Sequence, residues 1–204
     1  MYKSSKVKEI KTLYKQYYQY RVLPSLWIPV TYSKGEIVHA AAAANGLDMG
    51  SAQKIEENII EYANKETKNK IVGRLGKVAC YKFYGFSPAR VLSKKNRDFI
   101  DFIQDGINIT VKANSYMRSE TMLLDQRDID NEGGPDIFVA VNVDFDLDNV
   151  YSTMAYIVGW IQKMTVRRIG RIAEDIKGEP LFVELDSLSA PGSLSGYIKM
   201  MGKK

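Results

Sequence analysis

The sequence predicts a mixed α/β fold, on three observations. Ile107-Asn-Ile-Thr-Val-Lys112 alternates apolar and polar residues, the period of a strand with one buried face. Asp136-Ile-Phe-Val-Ala-Val-Asn-Val143 is a continuous apolar run of strand length, which suits a central strand covered on both faces. Segments of helical period precede the first and follow the second, so the strands gain helical layers.

The elements follow in chain order. Val7, Ile10, Leu13, Tyr14 and Tyr17 repeat at helical spacing, which makes Lys6 to Tyr18 an amphipathic helix with a lysine-rich outer face. Pro24 and Pro29 bracket Leu26-Trp-Ile28, and proline disfavours helix interiors and central strands, so this stretch reads as an ordered linker. Gly35 to Asn45 is alanine-rich and helical, stopped by Asn45-Gly46. Ser51 is the N-cap of a helix to about Ala63, with Glu56 and Glu57 near its positive end. Ile71 to Phe83 forms a further helix with Leu75, Val78, Ala79 and Phe83 on its apolar face. Gly73 and Gly76 within it point to close packing or backbone approach. Asp98 to Ile103 is a half-buried strand, and Gln104-Asp-Gly106 turns it into the alternating strand. Asn108, Thr110 and Lys112 then share one face, opposite Ile107, Ile109 and Val111. A polar loop leads to the buried run, Val150 to Ile161 is another strand, and Thr165 to Lys177 a helix. Residues 1–50 form a helical extension and residues 51–204 the core.

Composition narrows the function. With 45% hydrophobic and 26% charged residues, the chain resembles an ordinary folded domain. No apolar run approaches the ~20 residues of a membrane span, and the polar, basic start lacks a signal-peptide core, so a cytoplasmic protein without a membrane partner is expected. Cys80 is the single cysteine and His39 the single histidine. These leave little room for a cysteine zinc cluster or a Ser-His-Asp triad, and any chemistry falls to Asp, Glu and Lys. Asp144, Asp146 and Asp148 lack the glycine and terminal glutamate of a calcium loop and read as a solvated turn. The net charge of +5 permits a polyanionic partner.

Asp101-Phe-Ile-Gln-Asp-Gly-Ile-Asn-Ile-Thr-Val-Lys112 places a carboxylate one hairpin before a strand lysine. Together with Pro135-Asp-Ile-Phe-Val-Ala-Val141, Ile157-Val-Gly-Trp-Ile161 and the helix Val72-Gly-Arg-Leu-Gly-Lys-Val-Ala79, it resembles the PD-(D/E)xK nuclease superfamily over about residues 70 to 197. The resemblance implies a restriction-endonuclease-like core: a central mixed β-sheet flanked by helices. It also implies Asp101, Thr110, Lys112 and Lys77 at the catalytic positions, Mg2+ as cofactor if the site is active, DNA (or RNA) as partner, and a homodimer. Two positions depart from the pattern. Thr110 stands where a carboxylate is usual, and Lys77 stands at the glutamate of the first-motif helix. Mg2+ prefers oxygen ligands. A cation at ~4 Å costs about 4 kcal/mol per unit charge at an effective dielectric of about 20.

Three readings follow from the residues. The first is a degenerate nuclease that binds nucleic acid through Lys77 and Lys112. The second is an active Mg2+-dependent endonuclease whose carboxylates have migrated, to Glu56, Glu57, Glu61, Asp105 or Glu120, with Asp101, Glu57 and Glu120 the metal set. The third is a protein-interaction or assembly module. Expected backbone contacts to nucleic acid are Lys94, Lys95, Arg97, Arg118, Arg167, Arg168 and Arg171.

Overall fold

The computed structural model describes residues 27–47, 55–56, 59–62, 65–86, 100–115, 120–146, 149–176 and 178–202. The fold is mixed α/β. Strands β1 (Ile28–Thr31), β2 (Phe102–Gln104), β3 (Ile107–Asn114), β5 (Ile137–Asp144) and β6 (Met154–Gln162) form a sheet in the order β1-β6-β5-β3-β2. Only β3 and β5 pair in parallel. Strands β4 (Thr121–Leu124), β7 (Arg171–Ile172) and β8 (Leu181–Glu184) make a second, antiparallel sheet in the order β4-β8-β7.

Alternation along the strands builds two cores. Ile109 and Val111 of β3 and Val139 and Val141 of β5 face α1 (Lys34–Ala44) and α3 (Lys65–Tyr84), where Ile37, Ile71 and Leu75 are fully buried. Between these helices in sequence, α2 (Ile59–Tyr62) adds Ile59 to the same cluster. Phe138 and Ala140 point the other way, onto Met122 and Leu124 of β4, Val183 of β8, Ile129 of α4 (Gln126–Asp130) and Val166 of α5 (Lys163–Ile169). The run from Ile137 to Val143 is buried at every residue, as a strand sandwiched between two layers must be.

Glycine sets the spacing of the helical layer. A Cβ on Gly76 would sit 2.6 Å from the Ala113 Cβ, so only glycine lets α3 lie this close to β3. Gly73, one turn earlier, meets nothing within 4 Å. The hairpin between β2 and β3 turns on Asp105 (φ 50°) and Gly106 (φ 80°), the left-handed pair of a two-residue loop whose twist matches its strands.

Several expectations change. Ile28 to Thr31 is a strand and not a linker; Pro29 is accommodated because β1 is an edge strand, where a missing N–H breaks no ladder. The helix expected from Thr165 to Lys177 runs only from Lys163 to Ile169. Gly170 takes an extended conformation after it, and Arg171-Ile172 then pairs with β8 through a turn containing Gly178 (φ 90°) and Glu179 (φ 45°). The segment read as a polar loop holds β4 and α4, and the C-terminal part holds β8 and α6 (Leu194–Met201). The expected strand from Val150 opens with a 3-10 turn, and β6 begins at Met154. The described part of the first fifty residues supplies β1 and α1 to the same sheet and core as the rest. The expected helix over Lys6 to Tyr18 and the cap at Ser51 lie outside the described residues. No helix among the described residues is long and apolar enough to cross a membrane.

Candidate functional site

The motif residues gather around the C-terminal half of β3. Strand β2 pairs with β3 only as far as Ile109. Asp101, one residue before β2, continues the edge: its N–H donates to the Ile109 carbonyl at 2.9 Å, and its Oδ2 accepts from the Val111 N–H at 2.8 Å. The carboxylate therefore takes the place of a further strand residue. Its Oδ1 lies 2.6 Å from Lys77 Nζ, which reaches it from α3. Charge-assisted bonds to an ammonium and a backbone amide offset the desolvation of an aspartate whose side chain is 12% exposed.

Lys112 projects from the opposite face of β3, beside Thr110, which is buried. Its ammonium pairs with Asp128 of α4, a carboxylate only 6% exposed. Asp125 caps α4 by accepting from the Arg127 N–H at 2.9 Å. The Arg127 guanidinium beside it, more than the neighbouring Lys112, pulls the Asp125 carboxyl down to about 2. Two ion pairs thus straddle one strand. Asp101 is tied to the α3 side and Lys112 to the α4 side, each neutralised by a partner other than the one the hairpin spacing suggests.

The remaining candidates scatter. Glu120 is exposed just before β4, where its carbonyl accepts from the Leu185 N–H at 2.8 Å. Glu56 pairs with Lys34, Glu61 is exposed, and Asp105 is a turn residue. Arg167 donates to the Ile129 carbonyl at 2.8 Å and so fastens α5 to α4. Arg168 is exposed, and Arg171 is exposed 3.8 Å from Glu184. Glu57, Lys94, Lys95, Arg97 and Arg118 lie outside the described residues. Burial pushes the Cys80 thiol up, far from the nucleophilic range. His39 is exposed on α1.

These donors do not fit Mg2+. The ion needs several oxygens in near-octahedral array. Asp101 is the only carboxylate at the motif positions, a lysine already occupies one of its oxygens, and Thr110 offers no charge. Comparisons with protein-family models, with curated proteins and with solved structures give no match to this chain.

Asp128 was missed by the sequence reading. It lies 16 residues beyond Lys112, in a stretch without apolar period, and only the crossover from β3 to β5 brings it back. Beside Lys112 opens a cleft of about 520 Å3. It lies between α3 on one side and β4 with Leu185 on the other, and residues Val111 to Ser115 form its floor.

Proposed function

We propose that this chain is a nucleic-acid-binding protein on a nuclease-like α/β core, in which lysine ion pairs replace the metal site. One observation carries the reading. In both pairs the lysine faces solvent and the carboxylate is covered: Lys77 and Lys112 side chains are 49% and 26% exposed, against 12% for Asp101 and 6% for Asp128. A phosphate approaching β3 from either side meets an ammonium group before it meets an acid. Arg168 and Arg171, both exposed, and the net charge of +5 add attraction at longer range. The pairing of Asp101 with Lys77 supports binding over cleavage, because a lysine holds a carboxylate oxygen that a metal ion would need.

The test is equilibrium binding of labelled duplex and single-stranded DNA at low and moderate salt, with and without chelator. The expected result is affinity that falls steeply with salt, ignores the chelator and brings no cleavage in Mg2+ or Mn2+. Metal-dependent nicking abolished by Lys112→Ala would replace this reading with that of an active nuclease. Absence of salt-sensitive binding would remove the nucleic-acid reading altogether.

A further inference from the structure

The cleft beside Lys112 lies where the parallel strands β3 and β5 run out, the end of an α/β sheet at which ligands commonly bind. Its volume of about 520 Å3 lies within the ~300–1,000 Å3 of small-ligand sites. Asn142 of β5 lines it at 2% exposure, and the side-chain Nδ2 has no hydrogen-bond partner. A buried amide left unpaired forfeits its hydration without a replacement bond, a cost that a leucine in the same place does not incur. Asn142 stands beside Asn114 in the ladder, and Asn69 of α3 completes a trio of amide side chains around the opening.

The lining narrows the ligand. Among the described residues it holds no carboxylate that would select an amine or a metal cation. Among the described residues Lys112 is its only charged side chain, already paired with Asp128, so they offer a bare multivalent anion no concentrated counter-charge. Val72, Val111, Ala140 and Leu185 supply aliphatic walls. A flat, mostly apolar ring carrying amide-type donors and acceptors on its edge meets all of these terms. Asparagine amides pair with such edges by donating and accepting side by side.

We infer that the cleft receives a single unstacked nucleobase of a bound strand, with Asn142 donating to its edge and Lys112 near the adjoining phosphate. The inference rests on the nucleic-acid reading and gives that site its ligand. Among the described residues the lining has no aromatic side chain, and there the hydrogen-bonded edge carries the contact.

The experiment compares a short single-stranded DNA with a strand of equal length whose sugars lack bases, by fluorescence anisotropy at fixed salt. The full-length protein should bind the base-bearing strand about tenfold more tightly, equivalent to about 1.4 kcal/mol. Two variants locate the effect. Gly73→Leu projects into open space from the wall of the cleft, narrows it without a clash at Cβ, and replaces a poor helix former. Asn142→Leu removes the unpaired amide. Both should abolish the tenfold preference, leave the salt dependence unchanged, and melt no lower than the parent. Equal affinity for the two strands, or a preference that survives Gly73→Leu, would overturn the nucleobase site while leaving the nucleic-acid reading in place. Failure of the parent to bind either strand at low salt would overturn both.

Discussion

Lys112 and Asp128 share one ion pair but have unequal surroundings. Asp128 is nearly buried while Lys112 keeps part of its surface in water. Removing the lysine strands a covered carboxylate, whereas removing the acid leaves an ammonium that solvent can reach. Lys112→Ala should therefore cost about 3 kcal/mol, near the lower end for a broken buried pair, and Asp128→Ala distinctly less. Replacing both, as Lys112→Met with Asp128→Leu, should recover most of the loss; urea denaturation of the three variants checks the order. Asp125 offers a pH test. Its carboxyl sits at about 2, below the ordinary value of 3.8, so the folded state holds this proton more weakly than the unfolded chain. The stability it contributes is complete above about pH 4 and disappears as the pH falls toward 2. Asp125→Asn keeps a capping side chain but loses the charge. The variant should melt below the parent at pH 5, with the gap closing by pH 2. The gap will be small, because the Asp125 side chain is 41% exposed and its pairing with Arg127 is screened. At this scale the sequence exposes Asp101, Lys77 and Lys112, because motif spacing marks them. It hides Asp128, whose position depends on a crossover, and Asn142, which sits unmarked inside an apolar run.

Strand and helix periodicity made the middle of the fold legible. Alternation located β3, continuous apolarity located β5, and Asp105-Gly106 located the hairpin turn between β2 and β3, since each of these signals is local. The short elements escaped for the opposite reason. Strands β4 and β8 have four residues each and are defined by each other, at a separation of about sixty positions that no periodicity records. Helix α6 was within reach, because Leu194, Ile198 and Met201 follow helical spacing after Pro191. The two glycines of α3 look alike in sequence but differ in their surroundings. Gly76→Ala should lower stability by about 1–3 kcal/mol, because its methyl group meets Ala113 and α3 must withdraw from the sheet. Gly73→Ala should raise stability by up to about 1 kcal/mol through helix propensity alone. Thermal melts of the pair measure both signs, and a harmless Gly76→Ala would show that α3 does not rest on β3 as described.

At the scale of the molecule, the sheet is closed by residues from near the start of the described chain. Strand β1 pairs with β6 more than 120 positions later, and α1 lies against the same core as α3. Val30, Ile37 and Val38 are buried there with Ala40, Ala41, Ala42 and Ala44. Burial of one large aliphatic side chain is worth about 1.5–3 kcal/mol, so the three larger residues alone approach the ~5–15 kcal/mol by which a domain is stable. Removing residues 1–50 would also uncover Ile71, Leu75 and Ile157, all fully buried beneath this layer or beside it in the first core. A chain of residues 51–204 should therefore show no cooperative thermal transition and a collapsed near-ultraviolet circular dichroism spectrum, while the full chain melts in a single transition. A native-like, cooperatively melting fragment would make β1 and α1 an appendage. The sheet that positions Asp101, Lys112 and the cleft would then stand without them.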